Sequence, residues 1–450
     1  MRKLLLGLFL VLPFLSMAQE TEKKLEIVPD IHFRMFWMST SYPTDFKNDF
    51  ALGSSLNLGT QITFAERLKF KIGYRVFGNL LSSHLTSPDP LSGLDNRYEV
   101  GLFDLLNPED KFFGKLERLS ISYSKDTWGV TLGRMDIETD WINGQDGRLS
   151  PTYVEGIHTW INPSPKWEIG LWGINRMSVR GSSKWLGIGE SIGVFPVGRD
   201  VTGESSSYRN NTSSDWIGIM ELAYQTEKFG KISLSETYVQ NISNTLWGKI
   251  EKVWPNDNPA KKWFSGIQIG YQIGVGNGGN DDPKLSYKNP SDQNWVLSGK
   301  LGYEVNNWNT SLSFTHLDGQ GRWLSPREWG KDAWYTFIPR ERNEGMESLD
   351  ALVGYVEYKI PETGLRPYLH IGFHWLPDLA DAAANKYGFP SYRQFNLGLK
   401  YKPKNRKDLD FHFILMNKEA LGNETLSPRQ RYNKVEMIHI NGIVNWRPFQ

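Results

Sequence analysis

The chain has 450 residues and no cysteine, which excludes both a disulfide framework and lipid attachment through Cys. Its 51 basic residues face 50 acidic ones, a balance that gives no reason to expect nucleic-acid binding. Although it carries 18 Trp, 19 Tyr and 23 Phe, its mean hydropathy is -0.46, and after the first residues no apolar run approaches the roughly 18 that a membrane helix needs.

Residues 1–18, MRKLLLGLFLVLPFLSMA, place Arg2 and Lys3 before an apolar run and finish with small Ser16 and Ala18 at cleavage spacing. This is the pattern of a secretory signal peptide. The remainder, 19–450, is expected to form one domain. An exported, aromatic chain without helical spans points to an all-β transmembrane antiparallel barrel of the bacterial outer membrane, whose strands meet lipid on alternate residues only. A secreted all-β protein such as a propeller is the alternative.

Strands of period two follow along the chain. SSLNLGTQITF (54–64) and LKFKIGYRV (68–76) come first, then FSGIQIGYQIGVG (264–276), VLSGKLGYEV (296–305), QFNLGLKY (394–401) and LDFHFIL (409–415). In 264–276, Ile267, Ile269, Tyr271, Ile273 and Val275 oppose Gly266, Gln268, Gly270, Gln272 and Gly274. A face of glycine and glutamine makes no hydrophobic core, so it is expected to meet water inside a closed barrel.

Short polar connectors fall at 65–67, 125–127, 162–166, 226–230, 255–261, 306–309, 361–364 and 403–407. Long ones alternate with them at 40–50, 82–115, 137–152, 178–214, 276–294, 318–347, 376–391 and 417–434. The alternation is kept if LWGKIEKVW (246–254) is a strand that follows a tight turn at 241–244. That predicts about 18 strands (16–18), both termini on the periplasmic side and long loops outside. PDLADAAANKYG (377–388) reads as a short surface helix, and the closing VEMIHINGIVNWRPFQ places Phe449 next to last, as terminal barrel strands often do.

Eighteen strands enclose a water-filled space unless loops fold into it. Loop 137–152 contains NGQDGRLSP, whose Gly144 and Gly147 allow positive φ, so the loop can turn back and present Asp146 and Arg148 to the lumen. The polar parity of the strands aims Arg34, Lys69, Lys71, Arg75, Arg176, Lys300, Arg366 and Lys400 inward, opposed by Glu168 and Glu304. Such an excess would concentrate anions.

Gly133-Arg134 followed by INGQDGRLSPTYVEG (142–156) resembles a segment of the OprD-like substrate-specific outer-membrane porins. REWGKDAWYTFIPRERNEG (327–345) is similar to their large pore-lining loop. The resemblance implies an 18-stranded barrel, an eyelet shaped by inward loops and a basic ladder that guides carboxylates. Asp146 and Arg148 match the loop motif by position. Arg134 matches too, yet its parity with Val130 and Leu132 aims it at lipid unless the strand bends.

His370 and His374 share a strand face about 13 Å apart, too far to chelate one ion. GVGNGG (274–279) lacks the Lys-Ser/Thr step of a phosphate loop. The expected function is that of a passive, substrate-selective porin, not an enzyme and without cofactor or metal. Its eyelet would come from loops 137–152 and 318–347. There Arg148, Arg176, Arg340 and Arg342 would replace the hydration of a solute carboxylate, while Asp146, Glu341 and Glu344 bind those arginines or admit an amine. Arg322 is expected nearer the outer mouth, capturing solute. Partners would be outer-membrane lipid, small carboxylate solutes and the barrel-assembly machinery. An outer-membrane enzyme or polysaccharide-export channel on the same barrel, or a surface adhesin, are the competing classes.

Overall fold

The computed structural model describes residues 25–43, 45–144, 148–195, 197–258, 260–422 and 425–449; the expected leader, 1–18, and Asp146 lie outside them. The β segments are, in order, β1 (Leu25–Ser41), β2 (Asp49–Phe64), β3 (Leu68–Ser82), β4 (Phe112–Lys125), β5 (Trp128–Asp136), β6 (Tyr153–Ile161) and β7 (Trp167–Ser178). A two-residue rung, β8 (Leu186–Gly187), precedes β9 (Ile217–Thr226), β10 (Gly230–Val239), β11 (Ser243–Trp254), β12 (Lys261–Gly274) and β13 (Gln293–Val305). The rest are β14 (Trp308–Gln320), β15 (Leu349–Tyr358), β16 (Leu365–Trp375), β17 (Tyr392–Tyr401), β18 (Leu409–Ala420) and β19 (Met437–Trp446).

Every pairing is antiparallel. β7 pairs directly with β9 past the small rung, and β1 pairs with both β2 and β19, so 18 staves close into a barrel. Short turns alternate with long loops as expected, and loop 137–152 has the bounds read from the sequence. The segment LWGKIEKVW lies within β11, which follows β10 after only three residues, 240–242.

The wall shows why period two sufficed. Ile267, Ile269 and Tyr271 are exposed on the outside, whereas Gln268 and Gln272 are 3% and 2% exposed on the inside. An apolar surface running around the whole barrel would be an aggregation hazard in water and is the natural face toward lipid. Trp128, Trp167, Trp254, Trp263, Trp308 and Trp446 all stand exposed within two residues of the short-turn ends, where amphipathic indoles form an interfacial girdle.

Two β-bulges change the parity reading. Glu155 pairs with Arg176 while Gly156 pairs with Ile174, so Asn175 is an extra residue. Ile174 and Met177 are buried, and Arg176 is exposed. Alternation counted along the strand cannot see an inserted residue, so parity counted from Ile169 does not carry across the bulge to Arg176. Arg134, Glu155 and Arg176 sit side by side in register, with Arg134 bonded to Glu155 at 2.7 Å and stacked 4.6 Å from the Trp185 ring. The second bulge, opposite Gly73/Tyr74, inserts Glu117, and this acid meets Arg75 at 2.8 Å.

The apolar core is a plug at the loop end. Three clusters join strand tips to loops, one containing Ile142, Ile188 and Trp329, a second Phe36, Phe103 and Leu149. In the third, Trp141 lies 5.1, 5.2 and 5.6 Å from the rings of Trp247, Trp323 and Trp334. Trp141 comes from loop 137–152, Trp323 and Trp334 from loop 321–348, and Trp247 from the wall, so the contact pins both loops inside the barrel. Residues 377–388 form turns, not the expected short helix. Asn385 ties that segment off by donating from Nδ2 to the carbonyls of Pro377 (3.0 Å) and Phe389 (2.9 Å), which replaces helical bonding.

Candidate functional site: an arginine-lined constriction

Loop 321–348 crosses the lumen because inward polar residues of the wall hold its backbone. Gln268 Nε2 donates to the Ala333 carbonyl at 3.0 Å, and Gln394 and Asn396 each donate to that of Pro339 at 2.9 Å. The Tyr335 amide donates to Ser298 Oγ at 3.1 Å. These glutamines and asparagines face neither bulk water nor lipid. They satisfy a crossing segment that would otherwise carry buried, unpaired peptide groups.

Loop 137–152 packs against it. The Asn143 amide donates to the Trp329 carbonyl at 3.1 Å, the Lys331 amide donates to Asn143 Oδ1 at 3.1 Å, and Thr152 Oγ1 donates to the Glu328 carbonyl at 2.9 Å. On its other side Ser55 Oγ donates to the Leu149 carbonyl at 2.8 Å, and Ser150 is bonded to Glu117. Between these anchors Arg148 adopts a φ of +45°. The loop thus folds back with Arg148, not Gly144, in the left-handed region.

Where the loops meet they leave a cavity of about 230 Å³. Its wall includes Arg97, Arg148, Arg180, Arg327, Arg340 and Arg342, with Lys331, Tyr98, Phe195 and Phe337. Glu341 is the acid among its lining residues. It is bonded to Arg97 at 2.8 Å, Arg327 at 3.0 Å and Lys418 at 2.7 Å. Burial alone would raise the Glu341 carboxyl, but Arg97, Lys418 and Arg327 hold it well below the usual carboxylate range. Burial lowers the Arg148 guanidinium to about 10, which leaves it cationic at neutral pH.

The expected residues separate into groups. Arg148, Arg340, Glu341 and Arg342 meet at the constriction. Glu341 pairs with Arg97 and Arg327 and not with Arg148, while Arg342 is bonded to Asp332 at 2.8 Å and Glu344 to Arg327 at 2.7 Å. Arg34, Arg75 and Lys300 line the barrel wall: Arg34 donates to Asn445 at 2.7 Å, Arg75 is 2% exposed against Glu117, and Lys300 lies 4.0 Å from Glu251. Lys400 and Arg366 share Glu357, at 3.0 and 3.2 Å. The inward basic ladder therefore has more acids beside it than parity counting found, since Glu117, Glu251 and Glu357 sit at a bulge or in strands whose alternation is weak.

Sequence reasoning missed Arg97, Arg180, Arg327 and Lys331. The only signal for the first two was an arginine in a long outer loop. Arg180 is 6% exposed, donates to the Arg327 carbonyl at 3.2 Å and lies 4.0 Å from the Phe195 ring, yet its Nε and Nη1 have no partner among the described residues. Arg322, expected at the mouth, is 6% exposed, and its guanidinium donates to the carbonyls of Ala383 (3.0 Å), Arg199 (2.9 Å), Asp200 (2.9 Å) and Ala382. It ties three loops together and is not placed to capture solute. Arg322→Ala is expected to destabilise this loop assembly by about 3 kcal/mol, because buried carbonyls lose a charged donor. Faster proteolysis of the outer loops, with the barrel intact on a heat-modifiability gel, would show it; unchanged proteolysis would contradict it.

Among the described residues no group of three or more His, Cys, Asp or Glu could hold a metal ion. His374 instead bonds Asn343 at 2.8 Å and stacks on Tyr392.

No family model and no curated protein matches the chain. Solved structures do. OccK9 (OpdG) of Pseudomonas aeruginosa is 12% identical with a TM-score of 0.71, and 94% of this chain and 98% of that one are covered. OccAB3 of Acinetobacter baumannii is 14% identical with a TM-score of 0.72 over the same shares of each chain, 94% and 98%. OpdK of Pseudomonas aeruginosa, solved with vanillate, is 11% identical with a TM-score of 0.68, again over 94% and 98%. At these identities the likeness is one of fold: the chain has the closed 18-stranded barrel of these outer-membrane porins. That is the architecture the OprD-like resemblance implied.

Proposed function

We propose that the protein is a passive, substrate-selective porin of the bacterial outer membrane, passing small carboxylate-bearing anions through the arginine-lined constriction. The observation that carries this reading is Arg180, buried in the cavity wall beside five further arginines, with two guanidinium nitrogens that have no partner among the described residues. A buried donor without an acceptor is costly, and a passing carboxylate supplies acceptors with charge of the right sign. The cavity holds a solute of modest size, and one structure of similar fold was solved with vanillate, itself a small carboxylate. The chain needs no chemical step to do this work, which favours a channel over an enzyme on the same barrel. Alternation of short turns and long loops supports loops that face outward from the cell.

Reconstituted in planar bilayers under a salt gradient, the protein is expected to show a reversal potential on the anion side at about 0.01 M salt. The preference should fade toward about 1 M, because the screening length shrinks from roughly 30 to 3 Å. Cation selectivity at low salt, or no conductance in a correctly folded barrel, would refute the reading.

A further inference from the structure

Not every cavity lies in the lumen. A groove of about 1080 Å³ runs along the outside of the wall over β11 to β14, on the half nearer the short turns. Its floor is made where small outward residues, Ser265, Gly299 and Thr310, replace the bulky ones found elsewhere on that face. Gly299 matters most, because a Cβ there would meet the Phe314 ring at 2.3 Å; its absence lets the ring lie down across the wall. Ile250, Ile267, Leu301 and Leu312, each 44–58% exposed, form the rims.

The groove has one charged end. Lys252 points outward from β11, its Nζ 3.9 Å from the Trp254 ring and bonded to the Lys228 carbonyl, and Lys228 stands beside Phe229 in the adjoining turn. Trp254 is fixed in turn by donating from Nε1 to Ser265 Oγ at 3.0 Å. Two ammonium groups therefore sit at the level of the tryptophan girdle, at the head of an apolar trough. A second copy of the chain would have to bring both an apolar ridge and an anion to the same place. A phospholipid brings both in one molecule.

We propose that this groove is a binding site for an anionic phospholipid of the leaflet at the short-turn side, with an acyl chain along the Ser265–Gly299–Thr310 floor and the headgroup phosphate between Lys228 and Lys252. The charges select the headgroup, since basic residues near a membrane surface attract anionic lipid. The trough retains the chain by apolar contact.

Native mass spectrometry of the detergent-extracted barrel, after exchange into mixed micelles of phosphatidylglycerol and phosphatidylcholine, tests this. The wild type is expected to retain phosphatidylglycerol preferentially, and the Lys228→Gln/Lys252→Gln double variant to lose about tenfold of that preference while keeping its heat-modifiable band. Gly299→Leu, which fills the floor, should reduce retention of both lipids. Equal retention of the two lipids by the wild type, or an unchanged preference in the double variant, would overturn the proposal. So would dimers in the mass spectrum that Gly299→Leu abolishes, because the occupant would then be another copy. The double variant alters only surface lysines, so the outcome stands even if Gly299→Leu fails to fold.

Discussion

Glu341→Gln is expected to loosen the constriction by about 3–5 kcal/mol without dissolving the barrel, because it leaves three buried cations facing one another. Arg97, Arg327 and Lys418 come from loop 83–111, loop 321–348 and strand β18, and one carboxylate joins them. Gln keeps the shape and some hydrogen bonding, so the loss is that of charge. Single-channel records should show larger, noisier conductance and faster proteolysis within loop 321–348, with the barrel band unchanged. A quiet, wild-type trace would mean that the aromatic and backbone anchors hold the loop alone. The same carboxyl sets a pH limit. Its pKa is depressed in the folded protein, so its contribution is fully present above the unfolded carboxylate value near 4.5 and is lost only as pH falls through the lower folded value. The wild-type constriction should therefore hold at pH 4 and open in stronger acid.

The second large effect belongs to Arg148 and Arg180. Arg148→Ala removes a long side chain from the lining of a cavity of about 230 Å³ and is expected to raise small-ion conductance, roughly doubling it if this is the narrowest point. Arg180→Ala should leave conductance nearer wild type but reduce carboxylate flux at low concentration about tenfold or more, as a charged hydrogen-bond pair of about 1.5–3 kcal/mol is lost. Liposome swelling with a small carboxylate against a neutral sugar of similar size separates the two. If both variants pass both solutes as the wild type does, selectivity resides lower in the barrel.

Much of this molecule was legible in its sequence, for a specific reason. A wall between lipid and water forces apolar and polar residues to alternate, so 264–276 and 394–401 announce both their structure and their inward faces. Where an extra residue enters, the same logic loses count, as at Glu117, which is inserted opposite Gly73 and Tyr74 and meets Arg75. The constriction was half legible. Glycines around Arg148 advertise a loop able to turn inward, but the partners of Glu341 lie 244, 14 and 77 residues away in sequence, and no local pattern encodes such meetings. Arg322 failed for a related reason: a guanidinium bound to four carbonyls leaves no trace in side-chain pattern. The polar residues Gln268, Gln394 and Asn396 were correctly read as inward, yet their task as hooks for a crossing backbone appears only with the fold.

The seam between β1 and β19 joins Phe33 to Trp446 across nearly the whole chain. Until the last strand is synthesised, β1 has a bare row of peptide donors and acceptors on one side, and β18 has another. Such edges recruit any available strand, including those of neighbouring unfinished chains. Closure also waits on the longest loop the polypeptide can form, which makes it a slow step. Circular continuity thus imposes a timetable: the wall becomes safe only at its completion, and the chain must be sheltered from its own kind until its final ten-residue stave arrives.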